Sequence, residues 1–396
     1  MKRIYLDYAS LTPVDPRVLR EMKAFSAPKY ANPSSLYKEG VAAKKAMEEG
    51  RKKVAEFIHA HSDEIVFTSG GTEANGLALE GVGRAAHRSE IQKPHLIISG
   101  IEHSSIMEQA GMLEKHGVEV TRLAVDSSGV VSLDELKKAI KPSTFLISIM
   151  TVNNEIGTVQ PIREIAKIVR WARTNITKSN YPLLHTDACQ AALHYDLNVE
   201  QLGVDLLTLD GSKVYGPRGI GALYIKRNTP IEPIIYGGGQ ERGLRSGTEN
   251  VPAVMGFAKA LELVGKERVK ETIRINALKA DFLRGLKAIR PDMSVNPSQD
   301  KLSATSPHIL SVSIPGIDNE FFVLQLDAAG IATSTKSSCL RDVEESYVLK
   351  AIGANSKESV RFSFGRWTKP GDIRKALKTI GNLPAGRQVI DFKRGF

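Results

Sequence analysis

The chain has 396 residues, 42% hydrophobic and 25% charged, a composition typical of globular proteins. Its two cysteines exclude a disulfide framework, and no apolar run approaches the roughly 20 residues that cross a bilayer. The net charge of +10 comes without zinc-ligand spacing, an aromatic RNA-binding signature or a helix-turn-helix motif, which favours a solvated basic face over nucleic-acid binding. Because Asp7 interrupts the start before an apolar signal region could form, we expect a cytoplasmic protein.

Short apolar runs alternate with helix-like periodicity between about residues 40 and 225. The runs span 64–68, 95–99, 118–123, 145–150, 183–185, 206–209 and 221–225, and two of the intervening helices span 133–140 and 162–172. This alternation predicts an α/β fold with a mostly parallel central sheet covered by helices. Ligands bind such sheets at the carboxyl ends of the strands, so we expect the chemistry to lie just after each run.

The pattern changes after about residue 252. A long helix is predicted over 253–289, followed by short strands over 308–314 and 359–364 and a final helical segment. We predict a large α/β domain over 15–252. Residues 1–14 and 253–396 are predicted to form a smaller α+β domain that includes an N-terminal strand over 4–6.

The first strand end leads into Gly70-Gly71-Thr72 and then a helix. Glycines allow close approach of the backbone to a ligand, and a helix N-terminus attracts a phosphate. A turn of this kind often only caps a helix, so the motif is weak by itself. The next strand end is followed by His103, and a lone histidine there is more often structural than catalytic.

Two further strand ends carry opposite charges. Asp187 follows a buried strand, where a carboxylate is costly without a cationic partner, and Lys213 follows another in a glycine-rich setting. A lysine, an aspartate that keeps the pyridine nitrogen protonated, and a phosphate site are what pyridoxal 5'-phosphate (PLP) requires. A structural aspartate and a surface lysine would look the same, so this spacing does not establish the cofactor.

Longer motifs make a resemblance specific. They occur in order at 5–9, 32–35, 68–73, 102–103, 152–157, 187–190, 213–217, 237–248 and 361–366. From about residue 4 to 368 the chain resembles the cysteine desulfurases of the NifS/IscS type, within the class V aminotransferase family. The resemblance implies the PLP-dependent transferase fold type I and a homodimer. It also implies conversion of L-cysteine to L-alanine, with the sulfur left on the enzyme as a persulfide for an iron–sulfur scaffold or another sulfur carrier.

The resemblance also assigns roles to residues of this chain. Lys213 matches the lysine that forms the Schiff base, Asp187 the partner of the pyridine nitrogen, and His103 the histidine that stacks on the ring and assists proton transfer. The other implied cofactor contacts are Gln190 at the ring hydroxyl, Gly71, Thr72 and Ser212 at the phosphate, and Thr248 reaching the site of the other subunit. Asn154 and Arg361 match the pair that holds the substrate carboxylate, and an arginine fork suits a carboxylate.

The two cysteines receive different interpretations. Cys339 matches the sulfur-accepting cysteine of the family, which must react as a thiolate, and Lys336 and Arg341 nearby favour ionisation. Cys189 is interpreted as a packing residue beside the cofactor rather than a redox group.

The segment before Lys213 departs from the family pattern. Asp210-Gly-Ser212 stands where the family usually has Ser-Gly-His. A carboxylate near a phosphate is repulsive unless it turns away, so we expect weaker PLP retention than usual. Three alternatives stay open: a selenocysteine lyase or related β-eliminating class V enzyme, a plain aminotransferase, and a non-catalytic assembly partner. Cys339 argues against the aminotransferase, because that reaction needs no nucleophilic thiol.

Overall fold

The structure is a computed structural model that describes residues 3–383 except 28, 90, 299–304 and 336–344. The following numbering covers the described strands and α-helices. The strands are β1 (Ile4–Tyr5), β2 (Ile65–Thr68), β3 (His95–Ser99), β4 (Glu119–Leu123), β5 (Thr144–Ser148), β6 (Leu183–Asp187), β7 (Leu206–Asp210), β8 (Gly221–Ile225), β9 (Ser294–Asn296), β10 (Ile309–Ser313), β11 (Ile331–Ala332) and β12 (Ser359–Ser363). The helices are α1 (Pro16–Ser26), α2 (Lys38–Phe57), α3 (Gly71–Gly76), α4 (Val82–Arg88), α5 (Ser104–Lys115), α6 (Leu133–Ala139), α7 (Ile162–Ala172), α8 (Val199–Leu202), α9 (Val251–Ile289), α10 (Asn319–Ala328), α11 (Tyr347–Ala351) and α12 (Pro370–Asn382). Within these residues no helix is long and apolar enough to span a membrane.

A seven-stranded sheet forms the centre of the molecule, in the order β2-β8-β7-β6-β5-β3-β4. The pairs from β7 to β4 are parallel, and only β8 runs antiparallel to its neighbours β2 and β7. The predicted mostly parallel central sheet is confirmed. Because both neighbours of β8 oppose it, β2 runs in the same direction as the parallel strands.

Apart from the edge strand β4, in which Glu119 and Arg122 are exposed, the strands of this sheet are buried on both faces. This burial explains why they are apolar runs rather than alternating ones. Along β3, for example, Ile97 packs into one core cluster while Leu96 and Ile98 pack into the cluster on the opposite face. Helix α7 covers one face with Ile162, Ile165, Ala166, Val169 and Ala172, the spacing of an amphipathic helix.

A second core lies outside this sheet. Strands β9, β10 and β12 form an antiparallel sheet, and β1 pairs in parallel with β11. Helix α9 spans both cores, since its first half packs against the large sheet and its second half, from Ile275 to Leu286, packs in the second core. Ile4 and Leu6 from the N-terminal segment also lie in the second core. The domain limits proposed at residues 14 and 252 remain predictions.

Candidate active site

The carboxyl ends of β2, β3, β5, β6 and β7 meet at one edge of the large sheet, where a cavity of about 170 Å³ opens. Its lining residues are Ala9, Ser10, Gly71, Thr72, Asn75, His103, Ser105, Met150, Asn154, Asp187, Cys189, Gln190, Asp210, Lys213 and Arg361. The second core contributes Arg361 from β12, so the cavity lies between the two cores.

Most of the residues singled out in the sequence are brought together here. Of the predicted set, Gly71, Thr72, His103, Asn154, Asp187, Gln190, Lys213 and Arg361 line the cavity. Ser212 and Thr248 are not among the lining residues, and Thr248 is exposed. Cys339 lies outside the described residues. The individual roles of all these residues remain predictions.

Asp187 is held as a fixed acceptor at the end of β6. Its Oδ1 accepts a hydrogen bond from the amide of Cys189 (2.9 Å) and its Oδ2 accepts one from Nδ2 of Asn75 (2.8 Å). Both carboxylate oxygens are therefore held in place. A fixed negative charge on the cavity wall is suited to a cationic heteroaromatic N–H.

Asn75 is a site residue that the sequence reasoning missed. The same Nδ2 also donates to the Ser105 hydroxyl (2.9 Å), while the Asn75 Oδ1 is buried with no hydrogen-bond partner among the described residues. One amide thus links Asp187 to the β3 end. The available signal was a polar residue one helical turn after Gly71 and two residues before the apolar run that begins at Leu77.

His103 caps helix α5 with its imidazole. Its Nδ1 accepts a hydrogen bond from the amide of Ser105 (3.2 Å) and lies 2.9 Å from the Ser105 hydroxyl. In the neutral ring the proton therefore sits on Nε2. The cap fixes both the tautomer and the position of a group that can exchange a proton.

Lys213 follows β7, and its amine donates hydrogen bonds to the carbonyl oxygens of Ala9 (3.3 Å) and Ser10. It forms no ion pair with Asp187 or Asp210 among the described contacts. The amine is thus held by neutral oxygens of the N-terminal segment at the wall of the cavity.

Arg361 lines the cavity, and its guanidinium group is held from two sides. Its Nη1 donates to the carbonyl of Asn154 (2.8 Å) and its Nη2 to Oδ1 of Asp7 (2.8 Å), while Nε has no hydrogen-bond partner among the described residues. The residue is 2% exposed. A buried guanidinium N–H without a partner is costly.

Asp210 occupies the other end of the cavity. Its Oδ1 accepts from the amide of Ser212 (2.7 Å), and its Oδ2 accepts from the amide of Gly71 (2.9 Å), at the turn that leads into α3. The carboxylate therefore does not turn away. It lies on the amide that a phosphate would use, and a Cβ at Gly71 would approach the same Oδ2 to 3.3 Å.

Two other ionisable groups border the site. Burial and the nearby carboxylates of Asp187 and Asp210 raise the pKa of the Cys189 thiol, so this cysteine is not a thiolate at neutral pH. Burial likewise raises the pKa of Glu102 to about 8. Its Oε1 accepts from the amide of Met150 (2.9 Å), and its Oε2 has no partner among the described residues. The Glu102 carboxyl is therefore mostly neutral at pH 7.

The donor set fits PLP at the ring, where Asp187, Lys213 and His103 provide the carboxylate, amine and imidazole that such a cofactor uses. At the phosphate end the glycine turn leaves space, but its Gly71 amide already holds Asp210. The residues present thus fit the ring of the cofactor, whereas Asp210 competes with its phosphate for the amide of Gly71.

Comparisons with known proteins identify the family of this chain. The model of the aminotransferase class-V family matches residues 4–375, and the chain belongs to that family, whose members are in general PLP-dependent. It is 42% identical to a cysteine desulfurase IscS of Dictyoglomus turgidum over 390 residues, covering 97% of this chain and 95% of that protein. A cysteine desulfurase IscS 1 of Archaeoglobus fulgidus is 38% identical, covering 95% of each chain.

Solved structures of related proteins have the same fold as this chain. A NifS-like protein superposes with a TM-score of 0.88 at 35% identity, covering 96% of this chain and 98% of that one. SspA in complex with cysteine superposes with a TM-score of 0.76 at 34% identity, covering 91% and 98%. The resemblance to cysteine desulfurases of the NifS/IscS type and the predicted fold type I architecture are confirmed.

Proposed function

We propose that this chain is a PLP-dependent cysteine desulfurase that converts L-cysteine to L-alanine and receives the sulfur on Cys339. One observation carries the proposal: Asp187, Lys213 and Arg361 line a single cavity. These are an anion for a ring nitrogen, an amine for attachment and a cation for an amino-acid carboxylate. The relatives named as cysteine desulfurases support the choice of substrate.

Lys213 would attach the cofactor, Asp187 would hold its ring nitrogen, and Gly71 and Thr72 would face its phosphate. When bound, PLP withdraws electrons from an amino acid attached to it and so weakens the bonds around the α-carbon. Arg361 would bind the substrate carboxylate with its guanidinium group, which would fix the orientation of the amino acid. His103 holds a proton on Nε2 and is placed by its cap to exchange it.

The atoms and electrons of the sulfur-transfer step balance when a single cysteine of the enzyme takes part. The Cys339 thiolate attacks the sulfur of the substrate, an S–S bond forms, and the carbon–sulfur bond breaks. A proton takes the place of sulfur on the carbon, giving alanine and an enzyme persulfide. No external oxidant is needed.

The described residues that flank 336–344 support a role of that segment at the cavity. On one side, the amide of Arg361 donates to the carbonyl of Ser334 (2.7 Å). On the other, the Ser346 hydroxyl donates to Glu155 (2.6 Å) and the Tyr347 hydroxyl donates to the carbonyl of Glu102. Both flanks are tied to residues next to Arg361, Asn154 and His103.

The homodimer, with Thr248 reaching the partner's site, belongs to the proposal, as do an iron–sulfur scaffold or another sulfur carrier as acceptor and a cytoplasmic location. A second candidate, selenocysteine lyase activity, uses the same residues and is separated by the test below.

The test is turnover of L-cysteine by PLP-loaded wild type, Cys339→Ser and Lys213→Ala. We expect wild type to release alanine and to carry one extra sulfur on the peptide that contains Cys339. Lys213→Ala should release no alanine and should retain no cofactor after borohydride reduction. Cys189→Ser is the matched control, in which the extra sulfur should remain on the Cys339 peptide. Release of selenide from selenocysteine without alanine from cysteine would favour the second candidate, and neither activity in wild type would refute both.

A further inference from the structure

A buried row of polar side chains connects the second core to Gln190. Nε2 of His308 lies 3.2 Å from Oε1 of Gln190, and Nδ1 of His308 lies 2.7 Å from the Ser306 hydroxyl. Nε2 of Gln190 donates to the carbonyl of Ala9 (2.8 Å), the oxygen that also accepts from Lys213. The row thus begins beside β10 and ends at the cavity wall.

The direction of every hydrogen bond in this row can be assigned. The carbonyl of Ala9 can only accept, so the Gln190 atom facing it must be the NH₂ group. The other amide atom is then the oxygen, so Nε2 of His308 must donate to it. In a neutral imidazole Nδ1 is then the acceptor, and the Ser306 hydroxyl donates to it.

The surroundings keep His308 neutral. The residue is 1% exposed, and burial together with His194, Lys279 and Arg361 places its pKa well below the usual value. The His194 ring lies 4.9 Å from the His308 ring, and its pKa is lowered to about 3, chiefly by burial. Lys279 reaches from α9 and donates to the carbonyl of Ser306 (2.8 Å). A second proton on His308 would therefore be repelled by the cations Lys279 and Arg361, and none of these neighbouring groups is a carboxylate that could stabilise it.

We propose that His308, oriented by Ser306, is a positioning residue that fixes the side-chain amide of Gln190 with an N–H toward the cavity. Gln190 lines the cavity, and its NH₂ group has a second hydrogen to present there. Two contacts hold this orientation: the carbonyl of Ala9 accepts from the NH₂ end of the amide, and His308 donates to the oxygen end. The histidine supplies the second contact without lining the cavity itself.

The consequence rests on the proposed function, because it concerns a ring oxygen of the cofactor. An N–H facing that oxygen stabilises its ionised form, whereas a carbonyl stabilises the protonated form. The row therefore sets the pH at which the visible absorption of the bound cofactor changes.

The test is a pH titration of the visible spectrum of PLP-loaded wild type and His308→Leu. We expect the midpoint of the transition to rise by about one pH unit in His308→Leu, which is a tenfold change in the ionisation constant. Ser306→Ala should raise it less, because His308 can then adopt either tautomer. Gln190→Ala should give the full shift, and adding His308→Leu to it should change nothing further, since both act through one amide.

His95→Leu is the matched control. His95 is fully buried and held by two hydroxyls, those of Thr144 and Thr121 (2.8 Å each), but at the start of β3. Its replacement should lower stability without moving the midpoint. An unchanged midpoint in both His308→Leu and Ser306→Ala, or additive shifts with Gln190→Ala, would overturn the inference. Wild type with no cofactor band at all would instead refute the proposed function.

Discussion

The two ends of the cavity that we propose for the ring and for the phosphate of the cofactor are built in opposite ways. At the ring end, Asp187 is fixed by donors from Asn75 and Cys189, and its charge faces the cavity. At the phosphate end, the amide of Gly71 is already used by Asp210. Both ends carry a carboxylate with two hydrogen bonds, but only one of these charges is opposite in sign to the group that it would meet. The ring end is preorganised, and the phosphate end must give up an internal contact.

The comparison implies that the negative charge of Asp187 at the ring end supports activity, whereas that of Asp210 at the phosphate end weakens cofactor binding. Asp187→Asn removes the fixed charge and leaves the volume. An opposite charge at about 4 Å contributes roughly 4 kcal/mol at an effective dielectric constant of 20. We therefore expect alanine release to fall by about three orders of magnitude. Asn75→Ala removes one donor to Asp187 and keeps the charge, so its loss should be closer to tenfold. A smaller loss in Asp187→Asn than in Asn75→Ala would contradict the preorganised ring end.

The phosphate end should respond in the opposite direction. Asp210→Asn keeps an acceptor for the amide of Ser212 and removes the negative charge near the phosphate. We expect PLP to bind about tenfold more tightly, a gain of roughly 1.4 kcal/mol, measured by titrating the apoenzyme and following its fluorescence. Pyridoxal, which lacks the phosphate, is the control ligand and should bind the two proteins equally. Equal gains for both ligands, or none for PLP, would show that Asp210 does not compete with the phosphate.

The smallest expected effect concerns the buried carboxyl group of Glu102. Because burial raises the pKa of Glu102 to about 8, the folded protein binds more protons than the unfolded chain between about pH 4.5 and pH 8. Its stability should therefore fall as pH rises through that range. Glu102→Gln keeps the carbonyl acceptor and cannot ionise.

We expect Glu102→Gln to melt a few degrees above wild type at pH 8, where each kcal/mol corresponds to about 2–4 °C. At pH 5 the two proteins should melt at similar temperatures, and thermal denaturation at both values measures the difference. The same stabilisation at both pH values would mean that ionisation of Glu102 is not the cause.

The sequence predicted the sheet well because its signals are local. Each strand buried on both faces reads as a continuous apolar run, and the run that begins at Leu183 leads directly to Asp187. The strand ends therefore pointed to the right places. The antiparallel direction of β8 was not predicted, because an apolar run is the same in either direction.

Sequence alone determined which chemical groups are present: a lysine, an aspartate and a histidine at three strand ends, a glycine turn, and an arginine far along the chain. Only the tertiary structure decided how they are used. Asn75 joins Asp187 to Ser105, Asp210 lies on Gly71, and His308 orients Gln190 across 118 residues of sequence. The physical reason is that the direction and occupancy of a hydrogen bond depend on which buried groups meet in space. Residue type and spacing along the chain do not specify that.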